Sequence, residues 1–220
     1  KPYTIIDHNG SKIGIIGIVI SKKTKQSSNP DESTMFLDEI STTQKMIDEI
    51  ESQGVDKIIL LTHYGYQNEI ELAKATIGAD VIVGGDSHSL IGDLGDLGLN
   101  SEGPYPTIIN NKAGKKVCVV TAWQYSQIVG ELNVEFNSDG SVKNCNGTPH
   151  MMLLDSFKRK NSEGERVEIE DSYRDAVYRL IDLNPSLSIV EPDLDSNNIL
   201  AKYKEKVEEM SSQVIGSVYE

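Results

Sequence analysis

The sequence predicts an α/β fold, a mixed sheet with flanking helices, and three features carry that expectation. Apolar strand-like runs alternate with helical patterns between residues 12 and 85. After residue 105 strand-like runs follow one another with short turns between them. The polar residues able to do chemistry fall at the ends of the buried runs.

KIGIIGIVI (12–20) is a nearly continuous β-branched run, the pattern of a strand covered on both faces. YTIID before it, joined through HNG, reads as the other arm of a hairpin. Residues 21–33 (SKKTKQSSNPDES) are polar and turn-rich, which predicts a loop. From Ser33 the pattern turns helical: Phe36, Ile40, Met46, Ile47 and Ile50 share roughly one face, and Gly54 ends it. VDKIILLT is then a buried strand, NEIELAKATIGA a short helix closed near Gly78, and DVIVGG another strand. Strand, helix and strand in that order predict a βαβ-type segment with parallel strands over 33–85.

PTIINN, KKVCVVTAW, QIVGELNVEF and SVKNCN are strand-like, and NSDG between the last two is a hairpin turn. Antiparallel sheet should therefore continue from the parallel part. Trp123, Gln124 and Tyr125 follow one of these runs and are expected to pack rather than face a cleft. Residues 155–170 (DSFKRKNSEGERVEIE) read as a linker or exposed hairpin. YRDAVYRLIDL and NILAKYKEKVEEMSSQVIGSV read as helices. Leu200, Tyr203, Val207, Met210 and Val214 form a stripe on the second, expected to pack on the domain.

The 220 residues carry a net charge of −13, with 38% hydrophobic and 25% charged residues, ordinary for a globular protein. Such a surface repels phosphate backbones, so a nucleic-acid polymer is not an expected partner. An anionic small substrate would need local cations, and bound metal is one source. No run approaches the roughly 18 apolar residues of a membrane span. The chain opens on KPYTIIDHNG without a signal-peptide pattern, so any targeting segment is expected outside it. Cys118 and Cys145 fit no CxxC motif; they could form one bridge or be two buried thiols.

In open α/β sheets ligands sit beyond the carboxyl ends of parallel strands. Two such ends carry histidine, LTHYG and GGDSH, while His8 and His150 read as surface residues. Adjacent parallel strands would bring His63, Asp86 and His88 near one another, and imidazole with carboxylate suits zinc, manganese or iron. Gly84 and Gly85 would let backbone bend toward a metal or phosphate. On pattern alone, turns and a helix N-cap at Asp86 or Ser87 are the competing reading.

LTHYGYQNEIELA followed by ADVIVGGDSHS resembles the last two metal-binding motifs of the calcineurin-like metallophosphoesterases. More narrowly it resembles the secreted and periplasmic 5′-nucleotidases, with their UDP-sugar hydrolase and NAD nucleotidase members. KIGIIGIV resembles the strand after that family's G-N-H-E motif, and GPYPTIINNKAGKKVCVVTAWQYSQIVGELNVEF its closing sheet. The resemblance covers about residues 1–150. It implies part of a metallophosphatase β-sandwich: residues 1–154 as the C-terminal part of the metallophosphoesterase domain, and 155–220 as helical linker toward a substrate-binding domain. It further implies two divalent metal ions, with His63 on one of them. Asp86 stands where the family usually has a histidine on that same ion, and His88 where a residue serves the other. The reaction implied is hydrolysis of a phosphate ester or phosphoanhydride in a nucleotide or nucleotide-sugar, in a periplasmic or extracellular setting. The family's D-x-H, G-D and G-N-H-E/D motifs are not in place, so the expectation is the middle portion of a longer nucleotidase. Alone it would hold half a metal site and have little or no activity. The alternative is a noncatalytic binding module on the same scaffold, or one whose site a partner chain completes.

Overall fold

The computed structural model describes residues 2–213 and Gly216 of the 220. It has two units: Lys1–Met151 with Asn184–Ser186, and Met152–Leu183 with Leu187–Glu220.

In the first unit, β1 (Tyr3–His8) and β2 (Ser11–Val19) form the antiparallel hairpin read from the sequence. Its turn residues, Asn9 and Gly10, both have positive φ, as a two-residue hairpin turn requires. Residues 21–33 are not all loop: α1 (Ser21–Ser27) is a short helix. It buries no residue, so no apolar stripe marks it in the sequence. Its start is fixed from afar, by the Ser21 amide donating to Glu39 Oε1 at 2.8 Å. The next helix, α2 (Glu39–Glu51), begins six residues later than its apolar pattern suggests. Asp38 decides this: its carboxylate accepts from the Ser41 amide at 2.8 Å, and that N-cap leaves Phe36 outside the helix.

Then come β3 (Ile58–His63), α3 (Tyr66–Ala75) and β4 (Val81–Gly84). β2, β3 and β4 are parallel, as the alternation predicts. Residues 85–106 are loop apart from one 3-10 turn, Gly95–Leu97. β5 (Thr107–Asn110) and β6 (Lys116–Thr121) complete a six-stranded mixed sheet of order β1-β2-β3-β4-β6-β5. β6 is parallel to β4, and β5 antiparallel to β6.

One face of this sheet carries the core. Ile16, Ile58, Leu60, Ile82, Val117 and Val119 pack there with Met46, Ile47 and Ile50 of α2 and Leu72 and Ala73 of α3. On the other face Ile6, Val19, Leu61, Val83 and Ile108 are each 40–48% exposed, whereas Val81, Cys118 and Val120 on that face are buried. The expectation that 12–20 is covered on both faces is therefore corrected. The layer its apolar pattern calls for is not among the described residues.

β7 (Ile128–Phe136) and β8 (Val142–Leu153) form the second hairpin through the NSDG turn, with β8 running well beyond SVKNCN. Of the alternatives open for the cysteines, the bridge is present: Cys118 of β6 is joined to Cys145 of β8. Leu132, Val134, Phe136 and Val142 pack around it.

The second unit holds β9 (Lys158–Lys160) and β10 (Arg166–Glu168), an exposed hairpin, then α4 (Asp171–Leu183). A short β11 (Leu187–Ile189) follows, unforeseen because three residues show no period, and the Val190 amide donates to Leu153 O at 2.9 Å. α5 (Leu194–Ser211) is capped by Asp193 and buries no residue. Its stripe at Leu200, Tyr203, Val207 and Met210 is exposed, which corrects the expectation that it packs; Val214 lies outside the described residues.

Candidate functional site

The parallel strands β2, β3, β4 and β6 end on one edge of the sheet. Three neighbours there deliver polar side chains to a single point. Lys23 comes from α1 just after β2, His63 is the last residue of β3, and Asp86 lies two residues past β4. Asp86 Oδ1 is 3.0 Å from His63 Nε2 and also takes the Lys23 ammonium. The Asp86 side chain is 8% exposed and that of His63 64%, so a sheltered carboxylate meets an imidazole open to solvent.

Several bonds fix this geometry. The Ile20 amide donates to His63 O at 2.9 Å, and the Gly65 amide to Gly85 O at 3.0 Å. Gly65, at φ 90°, starts α3 without a capping side chain. Ser87 supplies the cap from the other loop, its Oγ accepting from the Tyr66 amide at 3.0 Å. The reading of Asp86 or Ser87 as cap of a helix of their own is thus replaced: Ser87 caps α3. Asp86 (φ 80°) and His88 (φ 53°) are both left-handed, as are Trp123, Tyr125 and Ser126 after β6. Strained residues of this kind gather at functional sites.

Of the residues singled out in the sequence, His63 and Asp86 are brought together. His88 is exposed and sets its ring edge-on to Tyr125, centroids 5.3 Å apart. Trp123 packs with Leu90, Leu94 and Ile128 as expected, but Tyr125 is 78% exposed. His8 is exposed, and His150 is half-buried against Glu131 at 3.2 Å. Two polar groups at this edge had no place in the sequence reading. Lys23 sits in the segment read as loop. Glu69, in the first turn of α3, is wholly buried, and desolvation raises its pKa against hydrogen bonds from Thr62 and Gly85. A glutamate six residues after a strand-end histidine, on the inner face of a helix, was the available signal.

Two ligands of one ion, bound at about 2.0–2.2 Å, lie roughly 3 Å apart when they meet near a right angle. His63 Nε2 and Asp86 Oδ1 meet that spacing, and the Lys23 ammonium shows that the carboxylate oxygen accepts a cation. Among the described residues no group of three or more His, Cys, Asp or Glu is set to hold a metal ion. The pair therefore fits part of a coordination shell, since catalytic zinc sites use three protein ligands.

No family model matches the chain. It is 36% identical to a probable 5′-nucleotidase of Treponema pallidum over 221 residues, which cover 99% of this chain and 37% of that protein. It is 35% identical over the same length to the NAD 5′-nucleotidase of Haemophilus influenzae, with the same two shares. The solved structure of Haemophilus influenzae NAD nucleotidase superposes with a TM-score of 0.91 at 36% identity, over 98% of this chain and 43% of that one. The chain spans about 37% of the length of these curated relatives. Along nearly all of its length the chain is thus homologous to a segment of proteins named 5′-nucleotidase and NAD nucleotidase, with the same mixed α/β sheet.

Proposed function

We propose that this chain supplies part of a divalent-metal site in a nucleotide phosphohydrolase. The observation that carries the reading is the 3.0 Å approach of His63 Nε2 to Asp86 Oδ1 at adjacent parallel strand ends. His63 and Asp86 would hold one ion and His88 would serve a second. Two divalent ions in such a site polarise a phosphoryl oxygen and supply a reactive water near neutral pH. The residues of this chain do the holding. Asp86 offers a carboxylate already sheltered from solvent, and its neighbour His63 leaves its ring open to the incoming group. Lys23, 54% exposed beside them, adds a positive charge that draws a phosphate toward an otherwise acidic chain of net charge −13.

The substrate class is a nucleoside monophosphate, NAD or a nucleotide-sugar, not a nucleic-acid polymer. The exposed apolar sheet face is where a second sandwich layer of the longer protein packs. Residues 155–220 lead toward a substrate-binding domain. The Cys118–Cys145 bridge supports an oxidising, extracytoplasmic setting, since such bridges are rare in the cytosol. No helix among the described residues is long and apolar enough to cross a membrane.

The test is phosphate release from AMP and NAD by the full-length protein with Mn²⁺ or Zn²⁺. His63→Ala and Asp86→Ala should each lower it by about a hundredfold or more, beyond the usual effect of outer-shell residues. Unchanged rates in both would remove the assignment. Residues 1–220 alone should release no phosphate at the rate of the full protein. The Lys23–Asp86 contact favours a second reading, a noncatalytic scaffold in which the lysine takes the place of metal. Mn²⁺ titration separates them: affinity unchanged in His63→Ala and His88→Ala supports the scaffold.

A further inference from the structure

Behind the strand ends lies a carboxyl group that no binding or catalytic step uses. Glu69 is wholly buried, and its two oxygens are treated differently. Oε1 accepts from Thr62 Oγ1 at 2.8 Å and from the Gly85 amide at 3.1 Å. Oε2 is buried with no hydrogen-bond partner among the described residues. Burying a carboxyl with half its capacity unused is costly, so the position calls for an explanation other than stability.

The partners of Oε1 supply one. Thr62 immediately precedes His63, and Gly85 immediately precedes Asp86. One oxygen thus ties the next-to-last residue of β3 to the residue just past β4, directly upstream of the paired imidazole and carboxylate. The carboxyl can reach that point only because residue 84 is glycine. A Cβ built there would stand 1.9 Å from Oε2 and 2.4 Å from Cδ, so the group lies flat against bare backbone. No local turn pattern needs this arrangement, since Gly84 does not have positive φ.

We infer that Glu69 is a positioning residue: through Thr62 and the Gly85 amide it sets the separation of His63 and Asp86 for binding a divalent cation. The inference rests on the metal-site reading above and goes beyond it, because Glu69 touches neither ion nor substrate. Outer-shell groups that orient ligands change metal affinity by about 10–100-fold when removed.

The experiment uses the full-length protein with Mn²⁺ as the probe, read by calorimetric titration together with hydrogen exchange of the Gly85 amide. Glu69→Gln keeps an oxygen that accepts both bonds and should bind Mn²⁺ within about threefold of the wild type. Glu69→Met keeps the volume and removes the acceptor. It should weaken Mn²⁺ by about tenfold or more and speed exchange at Gly85 with or without metal. Thr62→Val, which removes only one of the two bonds, serves if Glu69→Met does not fold; it should fall between. A purely structural role would lower the melting temperature of Glu69→Met while leaving Mn²⁺ affinity and Gly85 exchange in the folded protein unchanged, and that result overturns the inference. Equal loss in Glu69→Gln and Glu69→Met overturns it too. If Gly85 exchange responds but His63→Ala leaves Mn²⁺ binding unchanged, the metal-site reading has failed, and the inference falls with it. If His63→Ala abolishes binding but Glu69→Met does not alter it, the inference alone has failed.

Discussion

A methyl group at residue 84 has nowhere to go. Gly84→Ala should destabilise the chain by roughly 1–3 kcal/mol, the usual cost of overpacking. The clash is with a buried carboxyl rather than a free side-chain end, so the upper half of that range is expected in urea unfolding. Lys23 gives a prediction of opposite sign. Its ammonium and a metal ion compete for the same Asp86 oxygen. Lys23→Met should therefore bind Mn²⁺ several-fold more tightly, and titration showing unchanged or weaker binding would exclude this competition. Residue identity alone made His63 and Asp86 visible, because strand-end imidazole and carboxylate stand out against apolar runs. Glu69 and Lys23 stayed hidden, since glutamate on a helix and lysine in a polar stretch are ordinary until tertiary structure buries one and folds the other over the site.

The helices show what local sequence can and cannot encode. α2 has an apolar stripe that was legible, but its start belongs to Asp38, whose cap bond overrode the apolar residues before it. Asp38→Ala should cost about 1 kcal/mol of stability, measured by denaturant titration, as loss of an N-cap does. α1 has no stripe and owes its place to Glu39, outside the segment. The α5 stripe was legible as periodicity, yet periodicity does not say what, if anything, covers it. For the sheet, the Cys118–Cys145 bridge closes a loop of 27 residues. Chain-entropy arguments assign such a loop about 3–4 kcal/mol. Reduction should lower the urea midpoint accordingly; an unchanged midpoint, with the thiols shown to be free, would mean the two strands hold each other by packing alone.

Global stability should respond to pH through Asp80, which is buried and accepts from the Ile58 amide at 2.8 Å. Desolvation raises its pKa from 3.8 to about 7, with Asp56 and Glu51 adding to the effect and Lys57 opposing it. The folded state thus holds a proton that the unfolded chain has already released. This contribution is fully present below about pH 4 and is lost as pH rises through 7, at about 1.4 kcal/mol per unit. Asp80→Asn should flatten the stability profile across pH 4–7, and equal slopes for both proteins would exclude Asp80 as the source. At this scale the order of strands and helices in the parallel half was legible, because alternation of period fixes a βαβ path. The exposure of β2 on its second face was not, since an apolar run looks the same whether or not its second cover is present. The disulfide has a topological consequence as well. Residues 118–145 form a closed ring that contains β7 and its turn. A strand inside a ring cannot be handed to another copy without breaking the bond, so exchange of β7 between molecules is barred while the bridge stands. Under reducing conditions that route opens, and swapped dimers built on β7 become possible where none could form before.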